Sequence, residues 1–424
     1  MNASHHPSTR GTAVPARALA ALLLGAALAH PSARPAAAQD ASPSADAGSP
    51  APRARDLGIP FAGTPGRWNA ITDVTGVQVG ERTLISGSGR LVVGQGPVRT
   101  GVTAVFPIGK RATDGVAAGM FTLNGDGEMT GSHYVNEFGE LYGPVMITNT
   151  VSVGTVSAAT IEWDRRHIDL PPALYARVLP VVAETWDGFL NDIYGQHVTR
   201  DDVFAALDSA RSGPVPEGNV GGGTGMSCYD FKCGTGTASR IVKTDQGRFT
   251  VGVLVQANYG SRYQLRVAGA PVGREITDRT PERGHLSDSA QVDGHSIIVV
   301  VATDAPLIPK QCERLARRVS LGLGRNGSIS ENGSGDMFIA FSTANHVRHW
   351  GADLKRLDMV TDITPIFDGV VQATEEAVIN ALVAGRTITG RDGNTVYAIP
   401  HDRLRAVLEK YGRLREGAAP AGGS

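Results

Sequence analysis

A serine lies at the junction of a polar stretch and an apolar run. Ser296 and His295 follow the polar residues 270–294, and the apolar run 297–302 comes directly after them. Where an irregular polar segment leads straight into a buried strand, the peptide bond at the junction is exposed to cutting. On its own, however, the junction is more typical of an ordinary turn that enters a core strand.

Two other apolar runs are flanked by side chains that acyl transfer requires. Ser334 and Asp336 lead into the run 337–341, and Asn258 follows the run 249–256. Acyl transfer needs a nucleophile, groups that carry protons and a donor to the oxyanion. Together these segments could supply a nucleophile (Ser296), an oxyanion donor (Asn258) and a polar relay (Ser334 and Asp336). On the residues alone, however, Asn258 is more typical of a turn and Asp336 of a solvated carboxylate.

The nucleophile needs a base, because a serine hydroxyl reacts poorly at its own pKa. Attack of Ser296 on the carbonyl of His295 would form an ester, and hydrolysis of the ester would free an α-amine on Ser296. Such an amine has an unperturbed pKa of about 7.7 to 8.0 and can act as the base without a histidine. This chemistry requires self-cleavage between His295 and Ser296.

Other motifs are weak signals of chemistry. The glycine run 221–225 lacks the Gly-Lys-Ser/Thr ending of a P-loop, so we interpret it as a mobile or tightly packed loop. His346 and His349 lack the glutamate of a zinc protease motif. Cys228 and Cys233 could form a disulfide, but the loop between them is short, and we interpret them as structural thiols. We expect no metal and no cofactor.

The apolar runs predict a layered α/β protein. Strand-length runs lie at 102–108, 116–121, 145–153, 178–182, 249–256, 297–302 and 337–341. Several are continuous rather than alternating, which is typical of strands covered on both faces. Helical spacing at 158–166, 309–322, 365–384 and 402–411 supplies helices that can cover them.

The N-terminal residues predict export. Two arginines, the apolar stretch 18–29 and three alanines before Gln39 are typical of a signal peptide over residues 1–38. Residues 39–56 contain almost nothing to bury and predict a flexible leader. No later stretch offers the roughly 20 consecutive apolar residues of a membrane helix. We expect a periplasmic or secreted protein with no membrane contact after the signal is removed.

Size and charge narrow the classes of partner. A chain of 424 residues with 41% hydrophobic content can bury a large core and does not need disulfide bonds for stability. Its 40 basic and 41 acidic side chains give a formal net charge of -1 and no broad field to attract a polyphosphate. Nucleic acid is therefore not an expected partner.

Six short segments, in the same order, resemble the self-processing DmpA/BapA family of L-aminopeptidase/D-esterases and β-peptidyl aminopeptidases. Three are the site segments above, and the others are residues 147–154, 184–188 and 223–226. The resemblance implies a four-layer αββα sandwich of the Ntn-hydrolase-like type. It also implies one catalytic domain over residues 57–412, cut into 57–295 and 296–412, and a homo-oligomer of the cleaved α/β units. Residues 413–424 would form a flexible tail.

The resemblance also assigns roles to single residues. It matches Ser296 to the family's nucleophile and Asn258 to its oxyanion donor. Ser334 and Asp336 match the supporting serine and carboxylate. Glu184 matches the acid that holds the free amine of the substrate, a contact that selects for an unblocked N-terminus.

Three positions depart from the family pattern. His295 stands where asparagine or glycine is usual, which bears on the rate of self-cleavage. Asp336 stands where some members have glutamate, which shortens the reach of the carboxylate by one methylene. Trp186 replaces a tyrosine whose hydroxyl can contribute to the site, and we interpret it as a wall of the substrate pocket.

These residues predict an exported serine aminopeptidase, an N-terminal nucleophile hydrolase acting on small peptides, amides or esters. Whether it prefers L-, D- or β-residues is left open by the sequence. One alternative is an acyltransferase of the ornithine acetyltransferase type, and another is a nylon-oligomer-type hydrolase, but both use threonine whereas residue 296 is serine. A non-enzymatic exported binding protein on the same fold is the third alternative.

Overall fold

Fourteen strands and seven α-helices make up the regular structure of residues 52–169, 179–285, 295–347 and 357–414, which the computed structural model describes. The strands are β1 (Gln78–Ser86), β2 (Val98–Phe106), β3 (Gly115–Gly125), β4 (Glu140–Leu141), β5 (Val145–Asn149), β6 (Val181–Thr185), β7 (Ser227–Cys228), β8 (Phe231–Lys232), β9 (Thr235–Thr244), β10 (Gly247–Asn258), β11 (His295–Thr303), β12 (Ser334–Val347), β13 (Ile388–Thr389) and β14 (Thr395–Val396). The helices are α1 (Ser132–Phe138), α2 (Val153–His167), α3 (Arg200–Ser209), α4 (Val272–Glu275), α5 (Pro309–Arg325), α6 (Thr364–Val383) and α7 (His401–Lys410).

Two mixed sheets carry the candidate residues. One sheet has four strands in the order β1–β2–β5–β6, and the other has six in the order β4–β3–β12–β11–β10–β9. The pairs β5–β6 and β11–β12 are parallel, whereas the remaining neighbours in both sheets are antiparallel. The ends of β6 and β10 and the starts of β11 and β12 carry the predicted site residues.

The two sheets pack face to face, and helices cover their outer faces. Ile147 of β5 and Ile298 of β11 lie in one core between the sheets. Val156 of α2 and Leu207 of α3 pack on the outer face of the four-stranded sheet, and Leu315 of α5 packs with α6 on that of the six-stranded sheet. Each such buried aliphatic side chain stabilises the fold by roughly 1.5 to 3 kcal/mol. The four-layer αββα sandwich is confirmed.

Most predicted elements coincide with observed ones. Six apolar runs overlap a strand, although β3 and β12 extend well beyond their runs, and the four helical patterns correspond to α2, α5, α6 and α7. The prediction of one strand over 145–153 is wrong, because the strand ends at Asn149, whose side chain accepts a hydrogen bond from the backbone nitrogen of Ser152 at 2.9 Å. That contact starts a helical turn, and α2 begins at Val153.

The folded domain extends beyond both predicted boundaries. Arg53 pairs with Glu217, and Arg55 pairs with Glu376, each at 2.7 Å. Residues 52–56, which we assigned to the flexible leader, are therefore tied to the domain, and composition alone gives no sign of these distant partners. At the other end, Leu414 packs against the core, so the predicted tail begins later than residue 413.

Several predictions fall outside the described residues. These are the signal peptide, the leader up to residue 51 and the tail from residue 415. In the described part of the chain, none of the helices has the length and apolar composition needed to cross a bilayer. Within the same ranges, no group of three or more histidine, cysteine or acidic side chains is arranged to hold a metal.

Candidate active site

Ser296 and Asn258 lie side by side in the six-stranded sheet. In the antiparallel pair β10–β11, Asn258 is the direct partner of Ser296. Alternate side chains of a strand point to the same face. Leu254 of β10 and Ile298 of β11 lie in the core between the sheets. The side chains of Asn258 and Ser296, on the same alternation, therefore point toward the four-stranded sheet.

The side-chain amide of Asn258 is fixed at both ends. Its Oδ1 accepts a hydrogen bond from the backbone nitrogen of Ser227 at 2.9 Å, and its Nδ2 donates to the backbone oxygen of Trp186 at 2.9 Å. An amide nitrogen carries two hydrogens, and the contact with Trp186 places this nitrogen just beyond the end of β6. A donor fixed in this way can stabilise an oxyanion without reorganising during the reaction.

The hairpin β7–β8 supplies the contact of Ser227. Its turn residues, Tyr229 and Asp230, have left-handed backbone angles with φ of 53° and 59°, as tight two-residue hairpin turns require. The turn brings the Cα atoms of Cys228 and Cys233 to 5.4 Å, and the two cysteines form a disulfide. The sequence left this disulfide open because the loop between the cysteines is short, and the hairpin turn closes that loop.

The glycine run 221–225 is a tightly packed loop next to this hairpin. A Cβ added to Gly223 would lie 2.3 Å from a backbone nitrogen of β9. The buried ammonium of Lys232 holds the end of the loop by donating to the backbone oxygens of Met226 at 2.6 Å and Cys233 at 2.5 Å. Burial lowers the pKa of Lys232 to about 7. The loop and Lys232 together fix the chain that leads into Ser227.

The hydroxyl of Ser296 lies against the peptide bond that we predict to be cut. Its Oγ donates to the backbone oxygen of His295 at 2.6 Å. The side chain of Ser296 is only 4% exposed, so bulk water has little access to this contact. A hydroxyl held beside the preceding carbonyl can attack it intramolecularly, which removes most of the entropic cost of the encounter.

Asp336 lies beside the backbone of the nucleophile. Its carboxylate accepts hydrogen bonds from the Oγ of Ser334 at 2.6 Å and from the hydroxyl of Ser330. In the parallel pair β11–β12 its partner is Ile297, whose backbone N–H also donates to the carboxylate. The carboxylate is thus one residue away from the nitrogen of Ser296. Burial raises the pKa of Asp336 above its usual value, which brings proton exchange closer to neutral pH.

Glu184 approaches the same strand ends from the four-stranded sheet. Its carboxylate accepts hydrogen bonds from the backbone nitrogen of Glu128 at 3.0 Å and from the hydroxyl of Thr150. A Cβ added to Gly127 would lie 3.0 Å from the Oε1 of Glu184 and 3.3 Å from the Cα of Gly335. Only a glycine therefore separates the carboxylate from the start of β12. Burial raises the pKa of Glu184.

Trp186 follows Glu184 by two residues. Its backbone oxygen accepts the hydrogen bond from Asn258. Its partly buried ring packs against a small cluster that contains Phe189 and Leu190. This placement suits a wall beside the site, and the backbone oxygen of Trp186 also orients the side chain of Asn258.

Sequence reasoning missed two polar residues of the site, Ser330 and Glu331. Ser330 donates to Asp336, and Glu331 Oε2 lies 2.7 Å from His295 Nδ1. Both belong to an irregular loop and are common surface types, so no local pattern distinguishes them. The one signal in the sequence is their position a few residues before Ser334.

The sequence profile of peptidase family S58 matches residues 69–396. The chain belongs to peptidase family S58. The β-peptidyl aminopeptidase BapA of Sphingosinicella xenopeptidilytica is 52% identical over 368 residues, which cover 84% of this chain and 91% of the relative. BapA of Sphingosinicella microcystinivorans is 54% identical over 373 residues, covering 86% and 93%.

A solved structure of a similar enzyme agrees in fold. The L-aminopeptidase D-Ala-esterase/amidase of Ochrobactrum anthropi, described as a prototype for the serine aminopeptidases and a variant of the Ntn-hydrolase fold, has a TM-score of 0.78 and 48% identity. The match covers 86% of this chain and all of that one. The S58 chain is thus a serine aminopeptidase on an Ntn-hydrolase-like fold, which favours a peptidase over the acyltransferase and binding-protein alternatives.

Proposed function

We propose that this S58 enzyme is exported, cuts itself between His295 and Ser296, and then releases N-terminal residues, β-amino acids among them, from small peptides, amides or esters. The observation that carries the proposal is the 2.6 Å hydrogen bond from the Oγ of Ser296 to the carbonyl oxygen of His295. Export is supported by the signal-like residues 1–38. The β-amino acid substrates are supported by the similarity to two β-peptidyl aminopeptidases.

Self-cleavage begins with attack of the Oγ of Ser296 on the carbonyl carbon of His295. The amide of Asn258 donates to the oxyanion that develops. The peptide bond breaks as the proton of Oγ passes to the nitrogen of Ser296, which leaves an ester between the two residues. Asp336, held beside this nitrogen, is placed to relay the proton. Water then hydrolyses the ester to a carboxylate on His295 and a free α-amine on Ser296.

Turnover uses the same atoms with a new base. The α-amine of Ser296 accepts the proton of Oγ as Oγ attacks the carbonyl carbon of the substrate. The resulting ammonium passes the proton to the leaving amine, and an acyl ester on Ser296 remains for water to hydrolyse. Asp336 and Ser334 hold the ammonium form, because a carboxylate stabilises a cation that is within hydrogen-bonding reach.

The substrate is selected by its free amine. Glu184 lies 3% exposed at the end of β6, and an ammonium group there would form a charge-assisted hydrogen bond with its carboxylate. An N-acetylated substrate lacks that charge. A β-amino acid carries its amine one carbon further from the reacting carbonyl, so the distance from Glu184 to Ser296 decides which class binds best. A homo-oligomer of cleaved units remains part of this proposal.

The substrate proposal is tested with a matched set of anilides. The cleaved enzyme is given β-homoalanine, L-alanine and D-alanine p-nitroanilides, together with the N-acetyl form of each. We expect turnover of the β-homoalanine substrate and loss of turnover on acetylation. Turnover of the alanine p-nitroanilides without turnover of the β-homoalanine substrate would refute the release of β-amino acids, and equal turnover of acetylated substrates would refute aminopeptidase selection by Glu184.

A further inference from the structure

A carboxylate holds the residue on the acyl side of the bond to be cut. The Glu331 cluster consists of Glu331, His295, Ser261 and Gln264. The Oε2 of Glu331 lies 2.7 Å from the Nδ1 of His295. Its Oε1 accepts hydrogen bonds from the Oγ of Ser261 and the Nε2 of Gln264, each at 2.7 Å. Partial burial raises the pKa of Glu331, but the hydrogen bonds from Ser261 and His295 outweigh burial and hold that pKa below its usual value.

The backbone at Glu331 joins this cluster to the proton relay. The backbone oxygen of Glu331 accepts a hydrogen bond from the nitrogen of Ser334 at 2.9 Å. The residue before it, Ser330, donates to the carboxylate of Asp336. Two consecutive residues therefore hold groups on both sides of the peptide bond, the imidazole of His295 on the acyl side and Asp336 on the amine side.

The imidazole of His295 is not placed to act as the base for Ser296. Consecutive residues of a strand point to opposite faces, and Ser296 points into the space between the sheets. The Oγ of Ser296 accordingly donates to the backbone oxygen of His295. The imidazole that contacts Glu331 therefore lies on the opposite face of the strand from the Oγ of Ser296.

We propose that Glu331 is a positioning residue for self-cleavage, because it holds the imidazole of His295 and thereby fixes the carbonyl that Ser296 attacks. The inference rests on the proposed self-cleavage. A misplacement of about 1 Å between reacting groups can lower a rate by about 100-fold. Since His295 departs from the asparagine or glycine of the family pattern, Glu331 provides an anchor for the side chain found in this chain.

Covalent connection limits the role of Glu331 to the uncut chain. Once the bond is broken, the carbonyl of His295 is no longer attached to Ser296, and its position cannot affect attack on a substrate. Loss of the contact should therefore slow self-cleavage much more than turnover by molecules that have been cut. A general loosening of the fold would lower both rates together.

The test follows self-cleavage of the full chain after cell-free synthesis, with the uncut fraction read by gel and intact mass at fixed times. The variants are Glu331→Gln, His295→Ala and the double variant. Glu162→Gln is the matched control, because Glu162 is a similarly exposed glutamate paired with Arg166 and Arg200 on the outer helices. Thermal melting of each uncut chain, prepared with Ser296→Ala added, reports whether the fold is kept.

The proposal expects about 10-fold or slower cleavage in Glu331→Gln and in His295→Ala, with less than a 2-fold further loss in the double variant, because both changes remove one contact. Turnover per cut molecule should fall by much less than the cleavage rate.

The proposal would be overturned by a wild-type cleavage rate in a folded Glu331→Gln chain, or by losses in cleavage rate that multiply in the double variant. If Glu331→Gln does not fold, the test rests on His295→Ala. Cleavage of His295→Ala at the wild-type rate would show that the imidazole held by Glu331 is not needed, and it would overturn the proposal. A wild-type chain that never cleaves would instead refute the proposed function.

Discussion

Ser296 and Asn258 are direct partners across two antiparallel strands, with their side chains on the face that looks toward the four-stranded sheet. Directly opposite residues of such a pair have Cβ atoms about 4.5 to 5.5 Å apart. The spacing between the candidate nucleophile and the candidate oxyanion donor is therefore set by the sheet itself. The surrounding loops have a different part, which is to orient the amide of Asn258 and to hold Asp336 beside the strand.

Asp336 should tune proton transfer without being the attacking group. Asp336→Asn keeps the size of the side chain but removes the charge that holds the α-amine of Ser296. We expect slow self-cleavage to persist and turnover to fall by roughly 10²- to 10⁴-fold, the range typical of lost acid-base assistance. The measurement is kcat over the neutral pH range on protein of known cut fraction.

The control for this prediction is Asp336→Glu, which restores the longer carboxylate of some relatives and should keep most activity. The pKa of Asp336 is raised by burial, so the charged form is lost as pH falls through that raised value, and turnover should fall with it. Wild-type turnover in Asp336→Asn at every pH would show that Asp336 has no part in the relay.

Glu184 should determine the need for a free amine. Glu184→Gln removes a charge-assisted hydrogen bond worth about 1.5 to 3 kcal/mol, so kcat/KM for unblocked aminoacyl amides should fall by roughly 10- to 100-fold. Self-cleavage should be almost unchanged, because it occurs before any substrate binds. The decisive measurement is kcat/KM for free and for N-acetylated substrate in wild type and in Glu184→Gln. Equal values for the two substrates in wild type would contradict the proposed role of Glu184.

Lys232 should give the folded protein a measurable dependence on pH. Burial lowers its pKa from 10.5 to about 7. Between these values the unfolded chain binds more protons than the folded one, so the contribution of this group to the free energy of unfolding rises with pH, by at most about 1.4 kcal/mol per pH unit. Lys232→Met cannot titrate, so its deficit in unfolding free energy relative to wild type should widen between pH 7 and pH 9. A deficit of the same size at both pH values would contradict the lowered pKa.

The strands and helices with continuous or periodic apolar residues could be predicted from the sequence, and so could the strand ends that carry Ser296 and Asn258. β9 was missed because its buried side chains include Thr237, Ser239 and Arg240, which are satisfied by partners distant in sequence. Periodicity of apolar residues cannot reveal such a strand. α3 was missed although Thr199 and Asp202 form a capping box at its start, which is a signal that the sequence does carry.

The residues that support the site could not be predicted from the sequence, because their partners are also distant or lie in irregular segments. Ser330, Glu331 and Lys232 act through contacts that exist only after an irregular loop or hairpin has folded. A lysine that donates to backbone oxygens has no local sequence pattern, and a serine in a polar loop is unremarkable. By contrast, the apolar run 337–341 already indicated that Ser334 and Asp336 lie at a strand start. Glu184 was located only by the resemblance to a known family, which carries information about the folded site that spacing alone does not.

The most direct test of self-cleavage by Ser296 is the intact mass of the purified protein with and without Ser296→Ala. In the proposed mechanism, both the attack on His295 and the later turnover require the hydroxyl of Ser296. Wild type should give two fragments, the smaller one beginning at Ser296, whereas Ser296→Ala should give one uncut and inactive chain. A single uncut chain in an active wild-type preparation, or cutting between residues 295 and 296 in Ser296→Ala, would contradict the account.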